Sequence, residues 1–303
     1  MFGKVINITP PPTEEKEEEE GSGCLASGIS KSKIKSVLSS LFGTDINIVE
    51  VNDTPISSIY EVIVRDPSGK TGILYMDCDL KHLILGSLLD IEGGKNLTAE
   101  KQKELAKNYY EQKEKELIAK LGEKKFKELK KVLNNFVYQL DIIDLNNVKI
   151  PKEGVIVYGN PNAKYTIYII SDPQCPFCAK LHDTIKKIVA KRKDVKFEIF
   201  MFPLSFHQYA KGISENILCQ DTNEKRKEIL DKSFEAVKNR NSEQLNKLQG
   251  ACPTGSQVLA EHQQFAKDVN LRGTPLIIFP NGIAISGAVS EDILNKMINI
   301  LSK

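Results

Sequence analysis

The sequence has no tryptophan, only four histidines and four methionines, and a formal net charge of only +2 over 303 residues. A balance so near neutral gives no electrostatic footprint for nucleic acid, and no nucleic-acid partner is expected. No stretch approaches the roughly 20 apolar residues that a membrane-spanning helix requires. A secretory signal is missing from the start as written. Residues 1–24 carry Pro10-Pro11-Pro12 and the acidic run Glu14 to Glu20 instead of a basic start and an apolar core. That run predicts a solvated, disordered acidic tail over 1–27. What the chain does have is 41% hydrophobic residues, enough for two ordinary domains, and six cysteines. Six is more than a cytosolic chain usually needs, so an oxidising, extracytoplasmic compartment is expected.

Two of those cysteines stand in Asp172-Pro173-Gln174-Cys175-Pro176-Phe177-Cys178. Tyr165 to Ile170 before them is a β-branched and aromatic run of strand character. After them Leu181, Ile185, Ile188 and Val189 have the spacing of a helix with one buried face. The pair therefore sits at a strand-to-helix junction, with Cys175 just outside the first turn. There the unpaired backbone N–H groups and the helix dipole favour an anion, and a thiolate is more populated near neutral pH. Cys178, one turn further in, is close enough to form a disulfide with it. This spacing suits thiol–disulfide exchange.

A C-x-x-C is also half of a zinc site, but a structural zinc needs two more ligands. No second close pair exists, and His82, His182, His207 and His262 are scattered, so neither metal nor other cofactor is expected. A second stretch discriminates further. Arg272-Gly273-Thr274-Pro275 precedes the apolar run Leu276 to Phe279, and a proline there tolerates a cis peptide bond at a cost of roughly 0.5–1 kcal/mol.

Strand, D-x-x-C-x-x-C, helix, then Thr274-Pro275, a Pro280-Asn281-Gly282 turn and a closing helix resemble the thioredoxin fold of the bacterial periplasmic disulfide isomerase family, DsbC and its relative DsbG. Gly72 to Asp77, Lys81 to Gly86 and Leu89 to Ile91 are similar to that family's dimerisation domain. The resemblance implies an α/β chain in four parts. The acidic tail at 1–27 leads into a small cystatin-like α+β dimerisation domain at 28–97. A helical linker at 98–150 follows, longer than the family's single short helix. The thioredoxin-like catalytic domain takes up 151–303, with a helical insertion at about 204–270.

Periodicity fills in the elements. Ile34, Val37, Leu38 and Leu41 predict a helix stopped by Gly43, followed by four short strands between Ile46 and Leu85, with a turn at Pro67 to Lys70. So small a domain is marginal alone. Thr98 is expected to cap a helix that breaks near Gly122, and Phe126, Leu129, Leu133, Phe136 and Leu140 continue as one amphipathic stripe. The linker is expected to be a spacer without chemistry.

The resemblance also assigns roles. Cys175 is the expected nucleophile and Cys178 the expected resolving thiol, while Pro176, Phe177, Thr274 and Pro275 contact the client. Asp172 matches an acidic position of the family motif. Cys219 and Cys252 match a second, non-catalytic disulfide, worth roughly 3–4 kcal/mol in the chain-entropy model. Whether Cys24 and Cys78 pair is left open by the sequence. The implied protein is a periplasmic homodimer that reshuffles or reduces disulfides in misfolded client proteins. A membrane-embedded, DsbD-like thiol reductase keeps it reduced. Cys-Pro-Phe-Cys is nearer to a DsbG-like motif, which leaves two alternatives: a chaperone and reductase of oxidised single cysteines, or a DsbA-like oxidase.

Overall fold

The computed structural model describes residues 25–66 and 71–303, so Cys24 and the expected turn at Pro67 to Lys70 lie outside the described residues. Two compact units divide between Leu105 and Ala106. The first described element lies ahead of the expected boundary at 28. Ala26–Gly28 form a 3-10 turn, and the Ala26 N–H donates to Asp53 Oδ1 at 2.6 Å.

In the first unit, helix α1 (Lys31–Phe42) ends where Gly43 takes φ 65°, a left-handed conformation that glycine adopts without a Cβ clash. Strands β1 (Asn47–Asp53), β2 (Ile59–Arg65), β3 (Thr71–Asp77) and β4 (Leu83–Ile84) form one antiparallel sheet in that order. Ile34 and Leu38, four apart on α1, are buried with Tyr60, Val62, Leu74 and Met76, which pair across β2 and β3. A short hairpin, β5 (Leu89–Asp90) and β6 (Lys95–Asn96), leads into α2 (Leu97–Leu121). The expected cap at Thr98 is two positions late. Asn96 Oδ1 accepts the Ala99 N–H at 2.9 Å and caps the helix. Thr98 is buried, its hydroxyl bonded to the Tyr75 hydroxyl and accepting the Leu88 N–H at 2.8 Å.

In the second unit, α3 (Glu123–Leu133) starts after Gly122, whose φ of 80° breaks the helix where the sequence predicts. The stripe holds for Phe126, Leu129 and Leu133, but Phe136 is 62% exposed. Asn134–Gln139 tighten into a 3-10 helix, and three residues per turn shift the phase that an α-helix would have continued.

Strand β7 (Asp141–Ile142) follows, then β8 (Ile156–Gly159), β9 (Tyr165–Ser171), α4 (Pro176–Lys191) and β10 (Val195–Met201). Four helices come next: α5 (Ala210–Leu218), α6 (Asn223–Lys238), α7 (Ser242–Lys247) and α8 (Pro253–Asp268). Strands β11 (Leu276–Ile278) and β12 (Ile283–Ser286) and helix α9 (Glu291–Leu301) close the chain. The sheet order is β7-β12-β11-β9-β10-β8, with β9 and β10 parallel through the α4 crossover and the other pairs antiparallel.

Alternation along the strands feeds two cores. Ile167 and Ile169 of β9 join one with Phe197, Ile199 and Ile277, whereas Ile170 joins the other with Phe200 and Ile278. The first core also contains Leu117, Phe126, Leu129, Leu133, Val137 and Leu140, and α3 packs against α9. The segment 98–150 therefore differs from the expected spacer. From Ala106 onward it belongs to the second unit, because its apolar stripe completes that unit's core.

Candidate active site

The second unit brings Cys175, Cys178, Thr274 and Pro275 together. Cys175 is the N-cap of α4, with Pro176 at the first helical position, where its missing N–H costs no hydrogen bond. Cys178 lies one turn on and faces inward. The Thr274–Pro275 peptide bond is cis, and the Cys175 thiol lies 3.7 Å from the Thr274 carbonyl oxygen. Pro275 is buried, while Pro176 and Phe177, between the two cysteines in sequence, are exposed, Phe177 at 64%.

The two sulfurs are electrically unlike. A hydrogen bond from the Cys178 thiol lowers the Cys175 pKa to about 6. Burial opposes the shift, and N–H groups of the first turn and the contact with Thr274 support it. Burial pushes the Cys178 thiol well above its ordinary range, as does the neighbouring Cys175 thiolate. Near neutral pH the arrangement offers one thiolate at the helix terminus and one covered thiol behind it.

Asp172, fully buried, links the pair to the rest of the unit. Its carbonyl accepts the Cys175 N–H at 3.2 Å, and its own N–H donates to Cys178 Sγ at 3.4 Å. Its carboxyl takes the Gln174 N–H at 2.6 Å on Oδ1, and the Leu204 N–H and His207 Nδ1 at 2.7 and 2.9 Å on Oδ2. Gln174 in turn accepts the Tyr209 N–H at 2.7 Å. None of Gln174, Leu204, His207 or Tyr209 stands out in the sequence. Leu204, His207 and Tyr209 lie up to 35 positions from their partners, in a stretch without periodicity.

Behind the thiols, His182 on α4 holds α6 through Asp231, with Nε2 to Oδ1 at 2.6 Å. Burial works to raise the Asp231 carboxyl, but bonds from His182, Tyr158 and Lys186 outweigh it and bring the pKa to about 2. Cys219 at the end of α5 and Cys252 at the start of α8 form a disulfide, and Cys252 Sγ accepts the Gly255 N–H at 3.1 Å. A side chain at Gly255 would put Cβ 2.6 Å from Cys219 Sγ, so the close approach of the two helices needs glycine there.

Two family models match this chain. The thioredoxin-like domain covers residues 152–301, and the disulfide bond isomerase protein N-terminal domain covers residues 18–99. The chain belongs to the DsbC/DsbG family of thiol:disulfide interchange proteins. The DsbC proteins of Dickeya dadantii and Salmonella typhimurium are each 22% identical to it. The alignments span 86% of this chain and 84% and 85% of those proteins. Among solved structures, a periplasmic thioredoxin-like protein from Salmonella enterica serovar Typhimurium is 20% identical. Its TM-score is 0.44, covering 54% of this chain and 99% of that one. As in other members of the DsbC/DsbG family, the activity is thiol:disulfide interchange.

Proposed function

We infer that the chain is a periplasmic disulfide isomerase and reductase, acting through Cys175 as nucleophile and Cys178 as resolving thiol. The observation that carries this reading is the inequality of the two sulfurs. The Cys175 thiolate attacks a disulfide sulfur of a misfolded client, forming a mixed disulfide and releasing one client thiolate. A client thiolate then attacks the mixed link and leaves with a new pairing, restoring Cys175. Otherwise Cys178 attacks Cys175, the client departs reduced, and the enzyme is left as a Cys175–Cys178 disulfide. Isomerisation thus needs an external reductant, and a membrane-embedded thiol reductase of the DsbD type fits that need. Phe177 and the Thr274–Pro275 loop flank the thiolate and supply an apolar and a backbone contact for an extended client segment.

Residues 28–97 are the proposed homodimer contact. β4 is an edge strand, and Ile84, Leu85, Leu89 and Ile91 around it are exposed, Ile91 at 92%. Pairing with a second copy would cover both edge and apolar side chains.

Trapping tests the assignment. Cys178→Ala should accumulate mixed disulfides with a scrambled client, and Cys175→Ala should accumulate none. The opposite pattern would reverse the roles.

A further inference from the structure

We propose that His207 is a positioning residue for the resolving thiol, acting through Asp172; this rests on the reading of Cys175 and Cys178 above. Asp172 is 0% exposed, and among the described residues its carboxyl has three donors, of which His207 supplies the only side chain. Both carboxyl oxygens already accept backbone N–H groups, which puts the bridging proton on His207 Nδ1. A buried carboxyl stripped of one donor is left short of a hydrogen-bond partner and must shift to find another. Asp172 cannot shift without moving both cysteines, because its backbone C=O holds the Cys175 N–H and its N–H holds Cys178 Sγ. The loop that carries His207 is fixed to the same stretch at two further points. Phe202 N–H donates to the Ser171 carbonyl at 2.8 Å, and Tyr209 N–H to the Gln174 side chain.

The step affected is the second one. Cys178 loses its proton to water and its thiolate attacks Cys175. The Cys175–Cys178 bond forms, and the electron pair of the broken bond leaves on the client sulfur, which then takes up a proton. The Asp172 N–H is placed to stabilise the Cys178 sulfur as charge builds on it. Loosening Asp172 should therefore slow resolution.

The experiment uses the full chain and a small aromatic disulfide that releases a coloured thiolate at each step. The unsubstituted protein is compared with His207→Ala and with His207→Asn, whose amide N–H replaces Nδ1–H. In His207→Ala the ratio of second-step to first-step rate should fall about tenfold, the effect of losing one hydrogen bond to a charged group. His207→Asn should restore the ratio. A ratio unchanged in His207→Ala would overturn the proposal, as would equal impairment in folded His207→Asn. Should His207→Ala not fold, nitrogen NMR of the unsubstituted protein decides. A proton on Nδ1 of His207 supports the role, and an Nε2-only tautomer rejects it. If the unsubstituted protein forms no mixed disulfide at Cys175, the reading of the pair fails first, and visibly apart from the role of His207.

Discussion

At the scale of single residues, the proposed role of Cys175 makes its thiolate the reactive group. Its alkylation rate should rise with a midpoint near pH 6 and be flat above about pH 7. Iodoacetamide kinetics on the reduced protein would check this, and a midpoint above pH 8 would contradict it. The largest cause of the lowered value is the hydrogen bond from the Cys178 thiol, so Cys178→Ala should move the midpoint up. Much of this was legible from sequence, because the C-x-x-C spacing and the Thr274-Pro275 pair are contiguous motifs. The Asp172–His207 pair was not. Nothing in Pro203 to Gln208 has a period, and only the fold brings His207 back to a residue 35 positions earlier.

A second residue couples the fold to acid. His262 is fully buried, its Nδ1 accepting the Met201 N–H at 3.1 Å and its Nε2 facing the Glu153 carbonyl at 2.9 Å. Burial lowers its pKa from 6.5 to about 4. The native state therefore stays neutral where the unfolded chain takes up a proton, and stability present above pH 6.5 is lost as pH falls toward 4. The full loss is on the order of 3 kcal/mol. Urea unfolding at pH 7 and pH 4.5 should differ less in His262→Gln than in the unsubstituted protein. An unchanged difference would remove His262 as the cause.

Among the elements, α3 illustrates what periodicity reveals and what it hides. The spacing of Phe126, Leu129 and Leu133 correctly marks a helix with one apolar face. It cannot say what that face meets, and the partner, α9, lies more than 150 positions away. Strand β7 is only two residues long, too short for alternation to register, yet it extends the sheet by pairing with β12. Leu129→Ala should cost about 2–5 kcal/mol, the range for a fully buried leucine. Thermal unfolding would measure it, and a loss below 1 kcal/mol would mean that the α3 face does not contribute to the core.

For the whole molecule, the division at Leu105/Ala106 changes where the chain can be cut. A fragment 106–303 should fold, whereas 151–303 loses six buried apolar side chains of its core, from Leu117 to Leu140. The shorter fragment should be less stable by on the order of 5 kcal/mol or more. Circular dichroism melts of both would show it, and equal melting temperatures would contradict it. Fragment 106–303 should still reduce a small disulfide but lose most of its ability to rescue a scrambled client. If it rescues as well as the full chain, the dimeric reading of residues 28–97 is wrong.

The disulfide between Cys219 and Cys252 shares its unit with the reactive pair at Cys175 and Cys178. A newly made chain can therefore join the wrong sulfurs, and on the proposed function such a chain would have the chemistry of the protein's own client. Finished copies would repair unfinished ones, making maturation autocatalytic. Refolding of reduced, denatured protein under mild oxidation should show a lag that shortens when a trace of mature protein is added. A trace of Cys175→Ala protein should leave the lag as it was.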